Sequence, residues 1–260
     1  MKRRISLLII CSFLTSCKTT MQKNSEKETK ETSINTSEED VTTYFKATGN
    51  EPFWGIKIGK EKIVFTSLIE GKETLIFPAA DPLKAIDANV KIYQLSNASS
   101  SAKITIQKTE CQNSMSGIVS PYSVSVEIKS NTQNDSQTLK GCGEYITDYR
   151  LHDIWVLESL NGKNVAISDF QKEIPRIEIY AAENKFLGYS GCNSITGTLF
   201  SEKDLLRFTN IISTMMACSG NNKETDFIKA LKSTTSYNIE NNQLSLSNPS
   251  GKLLVFRKID

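Results

Sequence analysis

Six cysteines and a single histidine are the residues of this chain whose types set the tightest limits on chemistry. The cysteines are Cys11, Cys17, Cys111, Cys142, Cys192 and Cys218, and the imidazole is His152. A structural zinc site wants four thiolate or imidazole ligands, commonly with a C-x-x-C pair, and these spacings contain none. No metal ligand set and no cofactor are therefore expected. A Ser-His-Asp or Cys-His nucleophile would have to use His152, which falls at the junction of two folded stretches and reads as an exposed linker residue. A two-carboxylate glycosidase is formally open, but no pair of acids is singled out by its surroundings. The expectation is a chain with no catalytic residues.

The chemistry that the cysteines do suggest begins at the N-terminus. Lys2, Arg3 and Arg4 precede an apolar run from Ile5 to Leu14, about half of the roughly twenty residues a membrane-spanning helix needs. The run ends in Leu14-Thr15-Ser16-Cys17, which resembles a lipobox: an aliphatic residue, two small ones, then the cysteine whose thiol accepts a diacylglycerol. Cys11 is a poor rival because bulky Ile10 precedes it. Residues 1–16 are expected to be a lipoprotein signal peptide, and Cys17 the lipid attachment site. Each buried CH₂ contributes about 0.8 kcal/mol, and two or more acyl chains make attachment stable. The residue after Cys17 is Lys18, not the aspartate of inner-membrane retention, which favours an outer-membrane location facing the periplasm or the cell surface.

From the anchor to residue 43 the composition turns to Lys, Glu, Ser, Thr and Asn. Such a segment cannot offset its conformational entropy and is expected to be a disordered tether. The whole chain carries a net charge of +2 with acids and bases interspersed, which excludes the clustered basic face of a nucleic-acid binder. Its length suits two small domains beyond the tether.

Residues 44–149 hold short β-like runs about every ten residues. In Lys103-Ile104-Thr105-Ile106-Gln107 and Val124-Ser125-Val126-Glu127-Ile128 every second residue is apolar, so one face meets a core and the other water. Clusters such as Pro78–Pro82 and Asn131–Asp135 punctuate the runs, as in an antiparallel sandwich or barrel. Three segments, Gly49-Asn50-Glu51-Pro52-Phe53-Trp54, Cys111-Gln112-Asn113-Ser114-Met115-Ser116 and Gly141-Cys142, together resemble an uncharacterised bacterial envelope domain that opens on G-x-E-P-F-W. That resemblance implies no activity. Glu51 with Phe53 and Trp54 reads either as an aromatic-acidic recognition surface or as core aromatics at a strand entry.

Residues 150–260 add a helix to the strands. Asn161-Gly162 after Ile154–Leu157 signals a hairpin, and Leu205–Met216 is expected as strand. Asn222 is a candidate N-cap, Glu224 and Asp226 occupy a first turn, and Phe227, Ile228 and Leu231 share one helical face. Trp155-Val156-Leu157, Gly191-Cys192-Asn193, Gly197, Thr214-Met215-Met216-Ala217-Cys218, Glu224 and Phe227 resemble the META domain family, which includes a heat-shock-inducible bacterial lipoprotein. The resemblance implies a small α+β barrel-like sheet with one helix, and an association with envelope stress without an established reaction. The fold class expected for the whole chain is mainly β: two small antiparallel barrel-like or sandwich-like domains, the second with one helix. Met215 and Met216 read either as an adaptable binding surface or as strand packing beside Cys218.

Four cysteines remain outside the leader and anchor, two in each domain. Three connectivities are formally open, and domain autonomy selects Cys111–Cys142 and Cys192–Cys218. Each bridge would contribute about 3–4 kcal/mol by constraining the unfolded chain. The function expected is a non-enzymatic envelope lipoprotein in stress tolerance or envelope integrity, held to a membrane by its lipid and acting by binding a ligand or an envelope or host protein. The alternative is an inhibitor of a lysozyme or protease; a hydrolase ranks below both.

Overall fold

The structure, a computed structural model, describes residues 43–84, 89–131, 136–218 and 222–259. The expected signal peptide, Cys17 and all of the tether before Thr43 lie outside the described residues.

The first sheet is built from β1 (Thr43–Asn50), β2 (Phe53–Gly59), β3 (Lys62–Ser67), β4 (Thr74–Pro78), β5 (Leu83–Lys84), β6 (Val90–Ser96) and β7 (Ser100–Gln107). After a small hairpin of β8 (Cys111–Gln112) and β9 (Val119–Ser120), it is completed by β10 (Tyr122–Ser130) and β11 (Ser136–Tyr145). Its order is β4-β3-β2-β1-β11-β10-β7-β6-β5, antiparallel throughout. The sheet curls, and Asn97 donates its side-chain amide to the Ile76 carbonyl at 2.9 Å to bridge the two ends. The period-two pattern sends Ile104, Ile106, Val124, Val126 and Ile128 into one core with Phe45, Ile58, Phe65 and Tyr93. The strand β1 was not legible as a run, because a bulge between Thr43 and Phe45 breaks its alternation and buries Tyr44 and Phe45 in succession.

The second sheet comprises β12 (Ile154–Leu160), β13 (Lys163–Asn164), β14 (Arg176–Tyr180), β15 (Lys185–Tyr189), β16 (Ser194–Glu202) and β17 (Leu205–Ser213). The helix α1 (Glu224–Lys232) follows, then β18 (Ser236–Glu240), β19 (Gln243–Asn248) and β20 (Gly251–Lys258). Pairing of β12 with β20 closes these strands into a barrel-like ring. Where β17 and β18 meet only at Leu205 and Ser236, α1 packs against β17 and β20 and sets Phe227 edge-on to Phe256. Asn161 and Gly162 both take positive φ, as a type I′ hairpin demands. Among the described residues the fold is mainly β with a single α-helix, as the periodicities implied. The strand expected to reach Met216 ends at Ser213, because the chain there leaves the ladder for side-chain partners described below.

The turn between β16 and β17 joins the second sheet to the open end of the first. Glu202 accepts from Lys91 Nζ and from the Tyr122 hydroxyl, each at 2.5 Å. Lys203 pairs with Asp81 at 2.9 Å and lies over the Tyr44 ring, and Asp204 pairs with Lys60 at 3.0 Å. Burial works against the Glu202 carboxylate, but the bonds from Lys91 and Tyr122 outweigh it and hold its pKa below the ordinary glutamate value. Burial pushes the Tyr122 phenol up, so it stays a donor.

Candidate functional site

One end of the second sheet gathers residues that are far apart in sequence around a buried carboxylate. Glu224 opens α1 on the helix's apolar face, since Phe227 and Leu231 follow at three and seven residues. Its carboxylate is buried and accepts the Asn193 backbone N–H at 2.9 Å and the Asn193 side-chain amide at 3.1 Å. The Ser190 hydroxyl lies between Glu224 Oε1 and the Asn193 carbonyl. A buried carboxylate is tolerated only when its lone pairs are met, and here three donors from one tight loop meet them. The N-cap position falls on Lys223, one residue later than expected and without a side-chain cap bond, while the Asn222 side chain just before it accepts the Glu224 N–H at 2.9 Å. Lys223 pairs with Asp169 at 2.6 Å. That bond and the Ala166 N–H hold the Asp169 carboxyl below its ordinary pKa.

The loop Ser190–Asn193 can reach Glu224 because Gly191 takes a φ of +100°, with Phe170 packed where a Cβ would sit, 2.4 Å from the nearest ring atom. Cys192 is fully buried and bonded to Cys218. Asn193 then uses its other side-chain atom to hold the chain after β17. Its Oδ1 accepts the Thr214 hydroxyl at 2.9 Å and the Met216 backbone N–H at 2.8 Å. Thr214 in turn accepts the Ser194 N–H at 3.2 Å. Residues 214–218 are therefore fixed by the disulfide at one end and by Asn193 along their length.

What this scaffold presents is apolar. Met215 is 100% exposed and Met216 46% exposed, with Ile212 exposed just before them. Of the two readings of the methionine pair, packing within a strand is excluded, since both residues stand beyond the end of β17.

The aromatic-acidic surface separates differently. Trp54 is only 4% exposed; it stacks on Phe65 inside the first core and donates its indole N–H to the Lys140 carbonyl at 3.3 Å. It cannot belong to a recognition surface, and its place on the buried face follows from the two-residue step to Ile56 and Ile58. Phe53, at 49% exposure, and the exposed Glu51 remain outside. In the same domain Cys111 is bonded to Cys142.

Among the described residues, Cys192, Cys218 and Glu224 form the group that most resembles a set of metal ligands. Its two sulfurs are bonded to each other, so they offer no thiolate, and Glu224 is already saturated by Ser190 and Asn193. His152 is exposed, stands edge-on to the Tyr180 ring at 5.8 Å, and its imidazole makes no hydrogen bond among the described residues. No helix among the described residues is long and apolar enough to cross a membrane.

Comparison with known families bears on this loop cluster directly. Residues 137–260 match the META domain family. The match begins inside β11 and takes in the whole second sheet, with Ser190, Asn193, Cys218 and Glu224. No curated protein matches the chain. Among solved structures, the NMR structure of one protein is 26% identical, covering 42% of this chain and 90% of its own, with a TM-score of 0.34. An NMR structure of a protein from Burkholderia xenovorans is 24% identical over 42% of this chain and 85% of its own, with a TM-score of 0.34. The crystal structure of a DUF4847 family protein from Bacteroides vulgatus is 20% identical over 42% of this chain and 96% of its own, with a TM-score of 0.30.

Proposed function

We propose that the protein is a lipid-anchored envelope lipoprotein that contributes to stress tolerance by binding another protein through the Met215 loop. The observation that carries this reading is the contrast within residues 214–218: their backbone is fixed by Asn193 and the Cys192–Cys218 bond, while Met215 is wholly exposed. A single exposed apolar side chain is ordinary on a protein surface. One held out on a pre-ordered loop with Met216 and Ile212 beside it is suited to insertion in a partner's cleft, because little entropy is lost on binding. Methionine's unbranched thioether adapts to such clefts. The META match supports an envelope-associated protein without a reaction of its own.

The second reading, an inhibitor of a lysozyme or protease, rests on the same loop, since a disulfide-tethered projection is a shape that blocks a cleft. The two differ in whether the anchor matters. A photo-reactive methionine analogue at position 215, irradiated in cells under envelope stress, is expected to yield a discrete cross-linked adduct. Cells carrying Cys17→Ser should lose protection if the protein acts as an anchored envelope component, and keep it if it is a freely acting inhibitor. Absence of any adduct at 215 while the protein folds and is exported would contradict the proposal.

A further inference from the structure

We infer that the outer face of the first sheet, beside the β8–β9 hairpin, is a binding site for an oligosaccharide chain bearing an acidic group. The site is distinct from the Met215 loop and stands or falls without it. Three separate segments singled out in the sequence converge there. Asn50, from the Gly49–Trp54 stretch, donates to Asn113 Oδ1 at 2.9 Å and to the Ser114 hydroxyl at 3.2 Å. Cys111, which opens the second stretch, is bonded to Cys142 of the third. The hairpin is thereby pinned as a wall along a groove of about 500 Å³, inside the range of roughly 300–1,000 Å³ typical of small-ligand sites.

The floor of the groove is chemically specific. Antiparallel register places Thr105, Ser125 and Lys140 in one cross-strand row on β7, β10 and β11. The adjoining row runs Gln107, Ser123, Cys142 and Thr48, reaching β1. Among the described residues the side chains of Thr105, Ser125 and Lys140 have no hydrogen-bond or ion-pair partner of their own. On the same outer face Lys46 pairs across strands with Glu144 and Lys103 with Glu127. Lys140 faces hydroxyls instead.

Hydroxyls and carboxamides both donate and accept, which is what recognition of a polyhydroxyl ligand needs and a hydrocarbon ligand does not. Within each row successive side chains stand on neighbouring strands about 4.8 Å apart, close to the length of one sugar residue in a chain. An oligosaccharide lying across the strands would thus meet a polar side chain at each residue, with Lys140 placed for a carboxylate substituent. The groove holds no aromatic platform, so affinity is expected to be weak and carried by hydrogen bonds and that one charge pair.

The test uses the full-length protein in detergent, titrated with two probes: a neutral N-acetylglucosamine tetramer, and a tetrasaccharide in which glucuronate alternates with N-acetylglucosamine. Saturable binding of both is expected, with the acidic probe about fivefold tighter, a difference near 1 kcal/mol. Lys140→Ala should bring the acidic probe down to the neutral one's affinity. Ser125→Leu, on an outer surface position, should abolish binding of both while leaving the melting temperature and circular dichroism unchanged. Failure of the wild-type protein to bind either probe up to about 5 mM would overturn the inference. Equal affinity for the two probes would do so too, as would wild-type binding by Ser125→Leu.

Discussion

Asn193 and Glu224, thirty-one residues apart, are joined twice: the asparagine gives its backbone N–H at 2.9 Å and its side-chain amide at 3.1 Å to the same carboxylate. The other side-chain atom of Asn193 holds Thr214 and Met216. One residue thus links the start of α1 to the exposed loop. The shape of that loop depends on a hydrogen-bond hub and is not set by apolar packing.

Removal of the hub has a definite cost. Asn193→Ala keeps the backbone N–H to Glu224 but leaves the Met216 N–H, the Thr214 hydroxyl and one Glu224 oxygen without their side-chain partner, and is expected to destabilise by about 2–4 kcal/mol. Asn193→Asp conserves shape but sets a second carboxylate against Glu224, so it should be no more stable than the alanine variant at neutral pH. Urea unfolding of the three proteins checks this. Wild-type stability of Asn193→Asp would show that the side-chain amide is not the donor that matters.

The two disulfides should separate in function. Each spans a loop of comparable length, with separations of 31 and 26 residues, and removing either should cost about 3–4 kcal/mol. Only the Cys192→Ala/Cys218→Ala pair should loosen residues 214–218, measured as faster amide exchange at Met216. Equal exchange in the Cys111→Ala/Cys142→Ala protein would contradict that division.

Gly141 is expected to tolerate no side chain. A Cβ there would lie 2.1 Å from the Thr48 carbonyl oxygen and 2.7 Å from Trp54 Cζ2, backbone on one side and a buried ring on the other. Gly141→Ala should cost more than about 3 kcal/mol or prevent folding, whereas Gly162→Ala, with open space around it, should suffer only from its positive φ. Thermal melts of the two variants give the comparison.

Acid should weaken the joint between the sheets. The folded pKa of Glu202 lies below its ordinary value of 4.5. Its stabilisation is therefore complete above that pH and is lost as pH falls through the folded value. Glu202→Gln should lower stability at pH 7 by about 1–3 kcal/mol and flatten the acid limb of the stability curve below pH 4.5. A variant whose acid limb matches the wild type would place the titration elsewhere.

Much of this fold was legible because it rests on local period. The alternation of Ile104, Ile106 and Val124, Val126, Ile128 gave strands and their buried face at once, whereas Trp54 stood open between surface and core until its place with Ile56 and Ile58 on the buried face of β2 decided it. The buried role of Glu224 was legible too: an acid three and seven residues before Phe227 and Leu231 shares their face, though an acidic first turn is so common at helix starts that the simpler reading came first. Two features had no local signal. The pairing of Glu202 with Lys91 and Tyr122 depends on where one sheet's turn meets another sheet's open end. The release of Met215 from β17 depends on Asn193, twenty-two residues upstream, outcompeting the ladder. Both are set by tertiary partners that a period in the sequence cannot name.

The central claim is that the Met215 loop is a pre-ordered binding element, and competitive capture tests it most directly. Full-length protein is immobilised in three forms: oxidised wild type, reduced wild type and oxidised Met215→Asp. Each is challenged with the same envelope extract from stressed cells. Met215 is 100% exposed, so Met215→Asp should fold with wild-type stability. The account predicts one protein retained by oxidised wild type and lost at least tenfold, about 1.4 kcal/mol, from both other columns. Equal retention of that protein by Met215→Asp would contradict the account, and so would an oxidised wild-type column that retains nothing.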